Sequence, residues 1–317
     1  MKIVVVGAGG RLGAALMREY RDKFEVTGFD HAQLDLANLD QFRRQLAPID
    51  FDVLINAAAF TNVDLCEKER DQAFLINADA PKLLAEICRD KGAKLIHFST
   101  DYVFDGEKRE PYLEKDEARP ISVYGDSKRA GEENVLAVQD RSASAKAMAG
   151  RHLVVRVSWV FGPDGPSFVD AMIKRAREHE QIDAVADKFS APTYTADIAK
   201  MLPRFFGRAV AGVGDPGTAI TDRGYKDYGG VLHFANVGEC SWQEYGQFAL
   251  DCCRSLGVPL KAKAVGAIKL SDMKKWVARR PVYSVLSTAK YIGLTGTAPR
   301  NWRDAVGEYL KDFYFPK

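Results

Sequence analysis

The chain of 317 residues has little cysteine, no surplus of charge of either sign and no long apolar run. Its five cysteines, Cys66, Cys88, Cys240, Cys252 and Cys253, are odd in number, and none forms a Cys-x-x-Cys pair. That spacing excludes a zinc-finger pattern and a disulfide framework, so reduced thiols are expected and no metal site is read. The charges almost cancel, 45 basic residues against 43 acidic ones. Electrostatic capture of nucleic acid needs a basic excess, and none exists here. A membrane span needs about 20 consecutive apolar residues, and charged side chains interrupt every apolar stretch well before that. Met1 leads directly into Lys2-Ile3-Val4-Val5-Val6-Gly7, which reads as a buried strand rather than a secretory leader, so a cytoplasmic protein is expected. Ordinary apolar and charged fractions, 46% and 28%, exclude a disordered chain and a coiled-coil rod.

What is present is an alternation of short apolar runs and longer amphipathic ones. Ile3 to Val6, Glu25 to Asp30, Asp52 to Asn56, Lys94 to Ser99 and His152 to Val157 read as five strands. Continuous apolar runs of this length suit parallel strands covered on both faces. Between them Leu83, Leu84, Ile87 and Cys88 fall on one face of a helix. The pattern predicts an α/β fold, a doubly wound parallel sheet of the Rossmann type. Residues 141–150 are low in complexity and read as an extended loop or a frayed helix end, and residues 208–230 are glycine-rich and read as a long surface loop. After Phe234 the pattern is mixed, with helices expected over Trp242–Leu256 and Asn301–Phe313. The expected division is a dinucleotide-binding domain of residues 1–160 plus about 196–236. A smaller substrate-binding lobe would then take about 161–195 plus 237–317.

Gly7-Ala8-Gly9-Gly10-Arg11-Leu12-Gly13 follows the first strand and opens a helical pattern. Glycines at 7, 10 and 13 permit a tight turn, close approach of backbone to a pyrophosphate and tight packing of helix on strand. The phosphates would lie at the helix N-terminus, where free N–H groups and the dipole favour anions. The strand–turn–helix setting makes this a dinucleotide site rather than a lone glycine cluster. Asp30 ends the second strand, where an acid can bind the adenosine ribose hydroxyls and favour NADH. Arg11 and His31 lie near enough in sequence to meet the extra phosphate of NADPH, so either cofactor remains open. Asp35 and Leu36 reach the adenine edge or, equally, serve as a cap and a core leucine. Asn56-Ala57-Ala58-Ala59 leaves the third strand with small side chains, over which a flat cofactor can lie.

Tyr124 and Lys128 stand four residues apart, on one face of a helix. The spacing alone is weak. Its weight comes from following a strand that ends in Ser99-Thr100-Asp101, the end of a doubly wound sheet that faces the cofactor. A ketone that accepts hydride develops alkoxide charge and needs a proton, which Tyr124 can supply. A phenol's ordinary pKa is near ~10, and a Lys128 ammonium beside it would draw that value toward neutrality. Thr100 can donate a hydrogen bond to the carbonyl oxygen.

These segments carry a resemblance. The chain resembles the extended short-chain dehydrogenase/reductase superfamily and, within it, the dTDP-4-dehydrorhamnose reductase family. The likeness runs through most of the 317 residues. It includes Gly7 to Gly13, Asn56 to Asp64, Ser99 to Gly106 and Val123 to Lys128, then Arg156 to Gly162, Ala191 to Asp197, Gly238 to Trp242 and Arg280-Pro281. By position, the resemblance implies Thr100, Tyr124 and Lys128 as catalytic residues. Gly10 to Leu12, Asp30, Asp35, Leu36 and Ala59-Phe60-Thr61 become cofactor contacts, and Thr100, Asp101 and Trp159 sugar-nucleotide contacts. The implied reaction is reduction of the 4-keto group of dTDP-4-dehydro-L-rhamnose by NADPH or NADH, for cell-surface polysaccharide.

Residues also separate this chain from neighbouring activities. The related dehydratases carry Asp-Glu after the threonine, whereas Asp101 is followed by Tyr102, so elimination is disfavoured. The nearest epimerases usually carry Ser at the Thr100 position. Some family members bind a metal in a dimer through a Glu two residues past the last glycine. That position is Ala15 here, so neither the metal nor that dimer is expected, and a monomer or weak homodimer is. A non-catalytic reading also exists, because the sequence type resembles the regulatory subunit of methionine adenosyltransferase. The intact Thr100, Tyr124 and Lys128 oppose it. Arg279 or Arg280 is expected to pair with the substrate diphosphate, Arg280 first, since guanidinium suits phosphate geometry.

Overall fold

Five β-branched or apolar runs become parallel strands where they are expected: β1 (Lys2–Val6), β2 (Glu25–Phe29), β3 (Val53–Asn56), β4 (Lys94–Thr100) and β5 (Leu153–Val157). A computed structural model describes residues 1–139, 152–207 and 229–314. Residues 141–150, read as a loop or frayed helix end, and most of 208–230, read as a loop, lie outside the described residues. The end of the second stretch differs from that reading. Gly230 opens a sixth strand, β6 (Gly230–His233), parallel to β5. Four residues behind a glycine pair are too short a run to stand out by pattern.

The sheet order is β6-β5-β4-β3-β1-β2, all parallel. Successive side chains leave a strand on opposite faces. Ile3 and Val5 therefore pack with Leu12, Leu16 and Tyr20 of α1 (Arg11–Tyr20) on one side. Val4 and Val6 pack on the other with Phe42 and Leu46 of α2 (Leu39–Leu46) and Leu84 and Cys88 of α3 (Ala80–Lys91). The chain runs from β1 outward to β2, then crosses back to β3. That reversal leaves a crevice outside the carboxyl ends of β1 and β3.

A fourth helix, α4 (Val123–Gln139), covers β4 and carries Tyr124 and Lys128. It lies against residues 70–79, where a short helix Arg70–Phe74 continues as a π turn, Leu75–Asp79. Beyond β5 a second, aromatic-rich core forms from α5 (Phe168–Glu178), α7 (Trp242–Ser255) and α8 (Trp302–Tyr309). Phe161, Tyr194, Tyr245 and Trp302 are fully buried in it. The intervening α6 (Thr195–Met201) returns to pack on α1. The start of α7 is fastened by a capping box, in which Ser241 and Glu244 satisfy each other's backbone N–H groups.

Candidate active site

The glycine loop comes first. Gly7 has φ +82°, a left-handed conformation, and a Cβ there would lie 2.8 Å from Ala58. A Cβ on Gly13 would lie 2.0 Å from the Gly7 carbonyl oxygen. Gly10 caps α1 without any side-chain hydrogen bond, and no acidic side chain occupies the first turn. The first-turn N–H groups of α1 are thus left for an incoming anion, as pyrophosphate binding requires.

From this loop a crevice of about 1080 Å³ runs across the sheet edge. It is lined by Gly7, Gly10, Arg11, Leu12, Asp30, Asp35, Leu36, Ala59, Phe60, Thr61, Tyr124 and Lys128, so one cavity gathers these expected cofactor residues. Gly13 lies beneath it, pressed on the loop. Phe98, Ser99, Gln72, Ile76 and Asp164 also line it, and sequence reasoning assigned them no role. Thr100, Asp101, Trp159 and Arg280 are not among its lining residues; they belong to a neighbouring wall described below.

Arg11 differs from expectation. Its Nη1 donates to the Val160 carbonyl at 3.1 Å and its Nε to Gly165 at 3.3 Å, and Nη2 also donates to Pro166. Seven residues on, Arg18 pairs with Asp164. Both arginines of α1 thus hold the 160–166 segment. Asp30 Oδ1 accepts from Gln33 N–H at 2.9 Å, and Asp35 Oδ1 from Ala37 N–H at 2.9 Å.

Lys128 is 2% exposed, and Tyr124 flanks it one turn earlier on α4. Burial pushes the Tyr124 phenol above its ordinary value, while the Thr100 hydroxyl pulls it back. Lys128, the residue expected from spacing to draw the phenol down, is bonded to other groups. Its Nζ instead donates to the Phe98 carbonyl at 2.7 Å and lies 3.4 Å from His97 Nε2. Burial lowers Lys128 to about 8, with Glu132 opposing. Thr100 donates to Asp101 Oδ1 at 3.1 Å and accepts from Tyr102 N–H at 3.2 Å. Its hydroxyl must re-aim before it can serve a carbonyl.

Asp101 and Trp159 stand in the neighbouring wall. The Asp101 carboxylate accepts from Ser284 at 2.5 Å and Ser190 at 3.2 Å. Burial raises its pKa, and Lys188 and these hydroxyls counter that. Lys188 is itself fully buried. It donates to the Pro281 carbonyl at 2.7 Å and lies 4.9 Å from the Tyr102 ring centroid, with Trp159 at 5.8 Å and Trp242 at 5.9 Å. Trp159 has φ +41°, rare for a bulky residue, and its buried Nε1 has no hydrogen-bond partner. Arg280 does not stand free for a diphosphate: Nη2 meets Asp64 Oδ2 at 2.7 Å, and the guanidinium stacks on Trp276 at 3.9 Å. Arg280 in turn holds the Asp64 carboxyl down at about 2.

Sequence reasoning passed over His97, Lys188 and the buried Glu132–Arg156 pair, whose two bonds measure 2.6 and 2.8 Å. A signal existed for His97. It interrupts an apolar run on a strand covered on both faces, where a polar group must find a partner. Among the described residues no cluster suits a metal ion, and no helix is long and apolar enough to cross a membrane.

A parallel sheet with a glycine loop at its switch point, opening on a Tyr–Lys pair, defines an NAD(P)-dependent oxidoreductase of the Rossmann class. The family model of the RmlD substrate binding domain matches residues 1–315, and the chain belongs to that family. The dTDP-4-dehydrorhamnose reductase of Burkholderia thailandensis is 34% identical over 315 residues, 98% of this chain and 99% of that protein. The spore coat polysaccharide biosynthesis protein SpsK of Bacillus subtilis is 34% identical over 313 residues, covering 98% and 97%. A crystal structure of dTDP-4-dehydrorhamnose reductase from Bacillus anthracis, in complex with NADP, aligns with TM-score 0.81 at 30% identity over 98% of both chains.

Proposed function

We propose that this protein reduces the 4-keto group of dTDP-4-dehydro-L-rhamnose to give dTDP-L-rhamnose, with NADPH or NADH as reductant. The observation that carries this is the single crevice shared by the glycine loop, Tyr124 and Lys128, in a chain that aligns with named reductases from end to end. In it Gly7 to Gly13 hold the pyrophosphate and Asp30 the adenosine ribose, while Lys128 reaches the ribose of the nicotinamide half. The bound dinucleotide supplies the hydride. Tyr124 gives its phenolic proton to the oxygen that becomes the alkoxide, and burial suits the phenol to this work by keeping it protonated until then. Thr100 turns its hydroxyl from Asp101 to that oxygen. Residues 161–195 and 237–317 make up the substrate lobe, with Asp101 and Trp159 at its edge, and Arg280 meets the diphosphate after exchanging Asp64 for it. We place the enzyme in the cytoplasm, as a monomer or weak homodimer, consistent with five unpaired cysteines.

The test is the fall in absorbance at 340 nm when the purified protein meets NADH or NADPH with dTDP-4-dehydro-L-rhamnose. Turnover is expected, and Tyr124→Phe should lower kcat by at least about 100-fold while leaving cofactor affinity within about twofold. Turnover that survives the substitution would remove Tyr124 as the acid. Cofactor binding without oxidation would favour another keto-sugar or a regulatory subunit.

A further inference from the structure

Asn56, His97 and Lys128 form a buried chain from β3 through β4 to α4, and none of the three is more than 2% exposed. Its polarity follows from one end. Asn56 Oδ1 accepts from the Ala58 N–H at 3.2 Å, which turns the amide nitrogen toward His97. That Nδ2 lies 3.0 Å from His97 Nδ1. An amide nitrogen only donates, so Nδ1 must accept, and a neutral imidazole then carries its hydrogen on Nε2. Burial holds His97 neutral, and the nearby Lys128 adds to this. The Nε2–H therefore points at Lys128 Nζ, 3.4 Å away.

An ammonium has three donors and no lone pair. Facing an N–H, it cannot close this contact, whereas the neutral amine can accept from Nε2–H and still donate to the Phe98 carbonyl. The other tautomer would satisfy an ammonium but would set the imidazole N–H against the Asn56 amide. We propose that His97, fixed by Asn56 as its Nε2–H tautomer, is a positioning residue that selects the amine form of Lys128. Lys128 then changes charge within the working pH range, where spacing alone had suggested a permanent cation.

The surrounding groups leave this pairing dominant. On α4 itself Tyr124 is a protonated phenol, and Glu132, the carboxylate that opposes the amine form, is held by Arg156 of β5. The turn after β4 contributes Asp101, bound by three hydroxyls, and Tyr102, which burial keeps protonated. The short helix Val63–Lys68 contributes Cys66, whose thiol burial raises to about 11, and Glu67, which accepts from Val123 N–H. From residues 70–74, Arg70 pairs with Asp126. The direction agrees with the lowering of Lys128 to about 8.

Two measurements test this on the full-length chain. Nitrogen NMR of the imidazoles and carbon NMR of the lysine side chains read the His97 tautomer and the Lys128 titration directly, without turnover. An Nε2–H tautomer and a Lys128 midpoint near 8 are expected. An Nδ1–H tautomer, or a Lys128 midpoint at the ordinary ~10.4, overturns the proposal. The second measurement rests on the reductase reading: kcat/KM against pH at saturating NADH, for the parent and two variants. His97→Asn keeps an acceptor for Asn56 and removes the Nε2–H. Asn56→Asp accepts only, so it forces the hydrogen onto Nδ1 and presents a lone pair to Lys128. Both should move the limb that reports Lys128 upward by about one pH unit, a tenfold change at a fixed pH on that limb. Limbs that coincide in three folded proteins would make His97 merely structural. Absence of turnover in the parent would defeat the reductase reading and leave the NMR result to decide this one.

Discussion

Asp30 and Asp35 bring two carboxylates to the adenosine end of the crevice, and the cation that spacing placed nearest is engaged elsewhere. Arg11 gives its guanidinium to three carbonyls of the 160–166 segment, and the remaining basic group there, His31, lies 3.8 Å from Asp35. A 2′-phosphate would meet these carboxylates, whereas ribose hydroxyls can donate to Asp30. The expected outcome is a kcat/KM for NADH above that for NADPH by about tenfold, or roughly 1.4 kcal/mol. Asp30→Ser should narrow the ratio. Equal values for the parent would mean that Arg11 leaves its carbonyls when NADPH binds. The NADP-bound relative from Bacillus anthracis makes this comparison informative. The place of Asp30 in the crevice was legible because it follows the second strand, beside the glycine loop. The engagement of Arg11 was not, since its partners lie about 150 positions away, at |i−j| of 149 to 155.

Helix α4 is held at its height over the sheet by two glycines, Gly125 between Tyr124 and Lys128 and Gly131 beyond them. A Cβ on Gly131 would lie 2.1 Å from the Asn77 carbonyl oxygen, and one on Gly125 2.2 Å from that of Tyr102. Asn77, in the π turn, accepts from Phe60 N–H at 2.8 Å and donates to Ser127 Oγ at 3.0 Å. One contact surface thus sets both the Lys128 helix and the Phe60 loop that lines the crevice. Gly131→Ala should push α4 outward and destabilise by about 1–3 kcal/mol, as overpacking does. A thermal melt would show a fall of about 1.5 °C per kcal/mol, from an unfolding entropy of ~2.1 cal/mol/K per residue. Gly293→Ala serves as the control. It lies in the helix Ala289–Thr295 with nothing within 4 Å of the added Cβ, so it should be neutral or stabilise by up to about 1 kcal/mol. Equal melting points for Gly131→Ala and the parent would show that the contact yields without loss. The helix itself was legible from the Tyr124–Lys128 spacing and its surroundings; its distance from the π turn was not, because neither glycine carries a periodicity signal.

Acid lability belongs to the whole molecule. His97, His152 and His233 are buried, on three strand positions or their edges, and each is held neutral. His152 accepts from Leu95 N–H through Nδ1 at 3.2 Å, with Nε2 3.1 Å from the Ala85 carbonyl; burial lowers it to about 4. His233 accepts from Arg156 through Nε2 at 3.3 Å, and burial with Arg156 lowers it to about 3. A histidine whose folded pKa lies below its unfolded value of ~6.5 contributes fully above ~6.5, and that contribution is lost as pH falls toward the folded value. Between pH 6.5 and 5.5 each one should cost on the order of 1 kcal/mol. Urea unfolding at pH 7.5, 6.5 and 5.5 should therefore show a loss of about 1 kcal/mol over the first interval and of about 3 kcal/mol over the second. A flat response down to pH 5.5 would mean that these sites rehydrate on protonation.

Across these scales, what the sequence determined by itself was local. Short apolar runs separated by amphipathic ones require strands covered on both faces, and the glycines between β1 and α1 require a turn that backbone and phosphate can share. Those constraints act over a few residues, so the Rossmann sheet, the crevice and the Tyr124–Lys128 face were all readable. The tertiary structure decided where long side chains ended their reach. Arg11 found carbonyls of the 160–166 segment, Arg280 found Asp64, Lys128 turned to His97, and β6 formed because β5 offered an unpaired edge. A long basic side chain has several acceptors of similar worth within reach, and only the packing of distant segments determines which of them it meets.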